Sequence, residues 1–84
     1  MYECILVSAP WCAACKPMKE WWESTVVSGV KFRIVDAEEK EVEGLGICSL
    51  PTIIVKDYKG DIMLQESGAR RQDQVIETLR QLGV

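Results

Sequence analysis

Two cysteines separated by two residues, Cys12 and Cys15, follow a short apolar run near the start of the chain. Residues 4–7 are apolar without interruption, which is typical of a strand buried on both faces, and Pro10 separates this strand from the next predicted element. A helix is predicted over residues 12–25. The pair therefore lies at a strand–helix junction, where two sulfurs can meet across one helical turn. A Cys-x-x-Cys sequence in this position indicates dithiol–disulfide chemistry.

The start of the predicted helix favours ionisation of Cys12. Unpaired backbone N–H groups and the positive end of the helix dipole lie there, and both stabilise an anionic sulfur. The thiolate is the form of cysteine that attacks disulfides. We therefore expect Cys12 to be the exposed nucleophile and Cys15 to be the thiol that resolves the mixed disulfide.

A metal site is the alternative interpretation of the cysteine pair. Zinc would need two more ligands, but the chain has no histidine, and its other thiols, Cys4 and Cys48, fall in different predicted elements. An iron–sulfur cluster bridging two chains is a further alternative, for which one chain shows no ligand pattern. The pattern favours a redox pair, with no metal and no cofactor.

The rest of the chain predicts the element order βαβαββα. The helix between the first two strands makes them parallel, with a right-handed crossover. We expect one α/β domain over residues 1–84, in which helices cover both faces of a four-stranded mixed sheet. The other elements are predicted as a strand over residues 30–35, a short helix within residues 36–43, strands over residues 52–56 and 61–66, and a last helix over residues 71–82.

Composition and charge narrow the classes of function. The formal net charge of −3 gives no reason to expect nucleic-acid binding. No apolar run approaches the ~18 residues of a membrane span, and the first residues do not resemble a secretory signal. We expect a protein of the reducing cytoplasm, where cysteine pairs are catalytic more often than structural.

Two segments resemble the thioredoxin-like superfamily, in the short form that lacks the first strand and helix of full thioredoxins. Residues 11–15 are similar to the family motif Trp-Cys-Gly-Pro-Cys, and residues 45–52 resemble the segment that carries the cis-proline of the family. The resemblance implies a minimal thioredoxin fold, with Cys12 and Cys15 as catalytic residues. It also implies that Pro51 is the cis-proline, and that the Leu50 backbone and Trp11 border the substrate.

Three departures from the family patterns stand out. Ala13-Ala14 replaces the Gly-Pro pair that tunes the reduction potential of thioredoxins, and Leu6 stands where thioredoxins place a buried aspartate. Glutaredoxins carry a double glycine followed by an aspartate that holds glutathione, whereas here a single Gly68 is followed by Ala69 and Arg70. The resemblance therefore implies no glutathione site.

The expected function is the reduction of protein disulfides by a small monomer, with electrons supplied by a thioredoxin-reductase-type enzyme. One alternative is a glutaredoxin coupled to glutathione, and another is a binding module that keeps the fold and grips a partner. Cys48, close in sequence to Pro51, is either a regulatory thiol or a spectator. Cys4 is expected to be structural, because it belongs to a buried strand.

Overall fold

Four strands form one mixed sheet, in the order β2–β1–β3–β4, in a computed structural model that describes all 84 residues. β1 pairs in parallel with β2 and antiparallel with β3, and β3 pairs antiparallel with β4. Residues 4–7 lie in the central strand and are fully buried, as their composition predicts. All four predicted strands are confirmed to within two residues, at Tyr2–Ser8 (β1), Val30–Asp36 (β2), Thr52–Lys56 (β3) and Ile62–Ser67 (β4).

Two α-helices, α1 (Lys16–Trp22) and α2 (Gln72–Gln81), cover one face of this sheet. Met18 and Trp22 from α1 share a core cluster with Val75 and Leu79 from α2 and with the sheet residues beneath them. Val75 and Leu79 stand four residues apart, so they form one apolar stripe on the face of α2 that packs on the sheet. Neither helix has the length and apolarity needed to cross a membrane.

α1 is shorter than the helix predicted over residues 12–25. It begins only after a 3-10 turn at Ala13–Cys15, and it ends at Trp22. Past that end, the Thr25 hydroxyl donates to the Trp21 carbonyl at 2.8 Å and accepts a hydrogen bond from the Gln72 side chain. This side-chain capping satisfies a carbonyl at the helix end, so the chain can turn back toward β2.

The opposite face of the sheet carries a single 3-10 turn, Lys40–Val42, within a long loop. Val42 packs there against Ile5, Val7 and Ile54. The two faces are thus covered unequally, by two α-helices on one and by a single 3-10 turn with its loop on the other. The acidic segment makes one short turn because the Asp36 carboxylate accepts the N–H of Glu38 at 2.9 Å, an arrangement typical of turns that competes with helix formation.

An ion-pair network fastens this loop to the sheet. Arg33 on β2 donates its Nε–H to Glu3 on β1 at 2.8 Å and binds Glu41 in the loop through both terminal nitrogens. The Lys56 ammonium on β3 lies 3.7 Å from the same Glu41 carboxylate. The hydrogen bond from Arg33 lowers the pKa of Glu41, and the one to Glu41 raises the pKa of Arg33. Ion pairs thereby connect the loop to β1, β2 and β3.

This network predicts a pH-dependent contribution to stability. Because the pKa of Glu41 is lower in the folded than in the unfolded chain, its ionised form stabilises the fold above the unfolded pKa, and this stabilisation is lost as the pH falls through the folded value. We expect Glu41→Gln to lower the free energy of unfolding at pH 7 by up to about 1 kcal/mol, since the pair is partly screened by solvent.

Urea denaturation at pH 7 and at pH 3 measures this difference. Glu39→Gln is the matched control, because Glu39 is exposed and takes part in no ion pair. The Glu41 variant should approach the parent stability at pH 3, and an equal loss at both pH values would contradict a contribution from the ionised group.

Candidate active site

The two cysteines of the motif are brought together by the 3-10 turn that comes after β1. Cys12 has an extended backbone conformation and caps the turn, and its carbonyl accepts the N–H of Cys15 at 3.3 Å. The Cα atoms of the pair lie 5.4 Å apart, and the two sulfurs form a disulfide. The predicted contact across one turn is confirmed, although the turn is a 3-10 turn and the α-helix starts after it.

The change from a 3-10 turn to an α-helix accommodates Pro17 next to the motif. The Lys16 N–H donates to the Ala13 carbonyl and closes the 3-10 turn. Pro17 then falls in the first turn of α1, where its missing N–H costs no hydrogen bond. Pro17 therefore continues from the 3-10 turn into α1 without the loss of a backbone hydrogen bond.

Both cysteines are buried, which differs from the expected exposure of Cys12. Cys15 is 0% exposed and Cys12 is 6% exposed in the disulfide form. The reason is tertiary packing, because Cys12 belongs to a small apolar cluster with Ala9, and Leu50 packs against that cluster. The small accessible surface of the pair nevertheless belongs to Cys12 alone, so Cys12 is the cysteine of the pair that a partner can reach.

The segment before β3 approaches the cysteines from the other side. The Leu50–Pro51 peptide bond is cis, as the resemblance implies. The Pro51 carbonyl accepts the Gly68 N–H at 2.9 Å, and the Ser49 carbonyl accepts the Thr52 hydroxyl at 2.7 Å. Between these two anchored residues, the N–H and C=O of Leu50 make no hydrogen bond within the protein. This peptide is left free for an external partner.

A groove of about 320 Å³ lies beside the cysteine pair. Trp11, one residue before Cys12, forms part of its wall and is 76% exposed. Sequence reasoning named Leu50 and Cys48 but missed Ala37, Ile47 and Ser49, because no pattern in the sequence marks which part of a loop faces a site. The groove is mainly apolar and is lined by Trp11, Ala37, Ile47, Cys48, Ser49 and Leu50.

The two cysteines outside the motif differ sharply in environment. Cys4 is fully buried, and burial raises the pKa of its thiol to about 12. Cys48 is exposed on the groove wall, where its Sγ donates to the Gly46 carbonyl at 3.3 Å. No three His, Cys, Asp or Glu side chains come together in a group that could hold a metal ion.

The contrast between Cys4 and Cys48 predicts an order of alkylation. In the reduced protein at pH 8, we expect iodoacetamide to modify Cys48 and to leave Cys4 unmodified, because a buried thiol with a raised pKa supplies almost no thiolate. Mass spectrometry of peptides, with and without urea, gives the modified fraction at each site. Labelling of Cys4 in the folded protein at the rate of Cys48 would contradict the burial of the Cys4 thiol.

Comparison with known proteins complements this geometry. The family model described as Thioredoxin matches residues 3–81, and no curated protein sequence matches the chain. Among solved structures, the short form of thioredoxin f from spinach chloroplast superposes with a TM-score of 0.80 at 20% identity, covering 99% of this chain and 77% of that one.

Two further thioredoxin structures are similar. A mutant thioredoxin from Halobacterium salinarum has a TM-score of 0.81 at 15% identity, over 96% of this chain and 74% of that one. The thioredoxin of Malassezia sympodialis has a TM-score of 0.78 at 25% identity, over 99% and 76%. The predicted minimal fold is thereby confirmed.

Proposed function

The chain belongs to the thioredoxin family of thiol–disulfide oxidoreductases, and from this premise we propose that it reduces disulfides in other proteins through Cys12 and Cys15. The observation that carries the proposal is the disulfide between these two residues, whose small accessible surface belongs to Cys12. The cysteine that retains accessible surface is suited to attack a partner, and the fully buried cysteine is suited to resolve the mixed disulfide.

The proposed reaction starts from the reduced pair. The Cys12 thiolate attacks one sulfur of the substrate disulfide, whose S–S bond breaks, and the other substrate sulfur leaves as a thiolate that takes a proton from water. The Cys15 thiol then gives its proton to water and attacks Cys12 Sγ in the mixed disulfide as a thiolate, and the second substrate sulfur leaves as a thiolate that takes a proton from water. Two electrons pass to the substrate, and the Cys12–Cys15 disulfide remains.

We propose that Leu50, Pro51 and Trp11 position the substrate. The free N–H and C=O of Leu50 support this role, because an extended polypeptide can pair with them as an added strand. Pro51 is buried and anchored to Gly68, so it holds that peptide in place. The exposed ring of Trp11 offers apolar area next to the reacting sulfur.

The reduced pair has to be regenerated by an external donor of two electrons and two protons, which we propose is a flavin-dependent enzyme of the thioredoxin-reductase type. Two residues of the segment that replaces the glutaredoxin glycine–aspartate pattern are engaged within the protein. The Gly68 N–H binds the Pro51 carbonyl, and the Arg70 guanidinium lies 3.9 Å from the Glu66 carboxylate. We further propose that the 84 residues act as one monomeric domain in the cytoplasm.

Separate substitutions of the two cysteines test the mechanism, each made in a Cys48→Ser background so that only the pair can form adducts. We expect Cys12→Ser to reduce insulin no faster than buffer alone, because no accessible thiolate is left. Cys15→Ser should instead accumulate a covalent adduct through Cys12, because the resolving thiol is missing. Turbidity and non-reducing electrophoresis measure the two effects, with Cys48→Ser alone as control. Full turnover by Cys15→Ser would contradict the dithiol mechanism.

The choice of donor is tested by NADPH consumption with insulin as substrate. Thioredoxin reductase in one arm is compared with glutathione and glutathione reductase in the other, at equal concentrations of the protein. We expect faster turnover in the thioredoxin reductase arm, because Gly68 and Arg70 already have partners within the chain. Faster turnover with glutathione would favour the glutaredoxin alternative and leave the dithiol chemistry intact.

A further inference from the structure

The wall of the groove beside the cysteine pair includes one residue of an acidic segment. Ala37 lines the groove, and its neighbours in sequence are Asp36, Glu38 and Glu39. Both glutamates are exposed and Asp36 is half-buried. Since Lys40 is the one basic residue of residues 36–40, three negative charges and one positive charge leave this stretch with a net charge of −2.

The carboxylates next to Ala37 have no cationic partner within the protein. None of the ion pairs in the structure includes Asp36, Glu38 or Glu39. The neighbouring Glu41 contrasts with them, because Arg33 binds it. The negative field of the segment is therefore not compensated where it borders the groove.

The two basic residues that follow the cysteine pair in sequence do not line the groove. Lys16 and Lys19 belong to α1, which packs on one face of the sheet, whereas Ala37, Ile47 and Leu50 pack on the other. The groove therefore combines an apolar lining with an acidic flank.

We propose that the groove binds a polypeptide segment of the disulfide partner in which an apolar side chain stands next to lysine or arginine. The apolar side chain would contact Trp11, Ile47 and Leu50, and the cation would face Glu38 and Glu39. This inference rests on the proposed function, because it concerns the partner of the same cysteines. Attraction between exposed charges raises association rates and weakens as salt is added.

Two disulfide peptides test this preference. Both carry a leucine beside the disulfide and a fluorophore that reduction releases from its quencher, and they differ only in having Lys-Lys or Glu-Glu next to the leucine. The protein, reduced with dithiothreitol and then desalted, is mixed with each peptide in a stopped-flow instrument under single-turnover conditions. We expect the Lys-Lys peptide to react about three- to tenfold faster than the Glu-Glu peptide at low ionic strength, a factor in line with the usual size of interactions between exposed charges. In 0.5 M salt the ratio of the two rates should approach one, because salt screens exposed charges.

A double variant identifies the charges responsible. Glu38→Gln combined with Glu39→Gln should remove most of the preference while leaving the rate with the uncharged substrate dithiobisnitrobenzamide unchanged. The matched control is Glu20→Gln combined with Glu23→Gln, which changes the net charge equally at exposed, unpaired positions in and just after α1. We expect this control to keep the preference.

The outcomes separate this inference from the proposed function. Equal rates for the two peptides at low salt would overturn the inference, as would an equal loss of preference in both double variants. If the insulin assay still shows reduction through Cys12, the proposed function is retained although the inference about the groove is rejected. Reduction of neither peptide and no reduction of insulin would overturn both.

Discussion

The structure depends on the burial of β1 on both of its faces. Ile5 and Leu6 point to opposite sides of the sheet and are both fully buried, and each such side chain contributes about 1.5–3 kcal/mol relative to an exposed one. A strand enclosed in this way needs a partner at each edge and a layer on each face. The parallel pairing with β2 requires the crossover through α1, and the C-terminal end of β1 then delivers Cys12 to the start of that crossover.

Features with a local physical cause could be predicted from the sequence, and features decided by distant packing could not. The continuous apolar run of β1, the stripe through Val75 and Leu79, and the contact between Cys12 and Cys15 all arise from neighbouring residues. The burial of Cys12 does not, because it depends on Leu50, which a different element brings into place. The composition of the groove has the same origin, since Ala37 and Ile47 reach it through the course of an irregular loop.

The loop on the second face serves the fold and the site together. Val42 completes the core beneath it, and the binding of Glu41 by Arg33 holds it against the strands. Because Arg33 binds Glu41 and not Glu38 or Glu39, those two carboxylates remain unpaired beside the groove. Within one short segment, one acidic residue thus stabilises the fold and two others are available to bind a cationic partner.

The buried thiol of Cys4 has a consequence for refolding. In the unfolded chain it is no longer desolvated, so its pKa falls back to that of an ordinary thiol and it competes as a nucleophile. Four cysteines that pair fully have three possible connectivities, and the folded protein contains one disulfide only. In an oxidising solution the unfolded chain therefore forms non-native disulfides. Recovery of the native protein after heating then depends on the redox state of the solvent as well as on the free energy of folding.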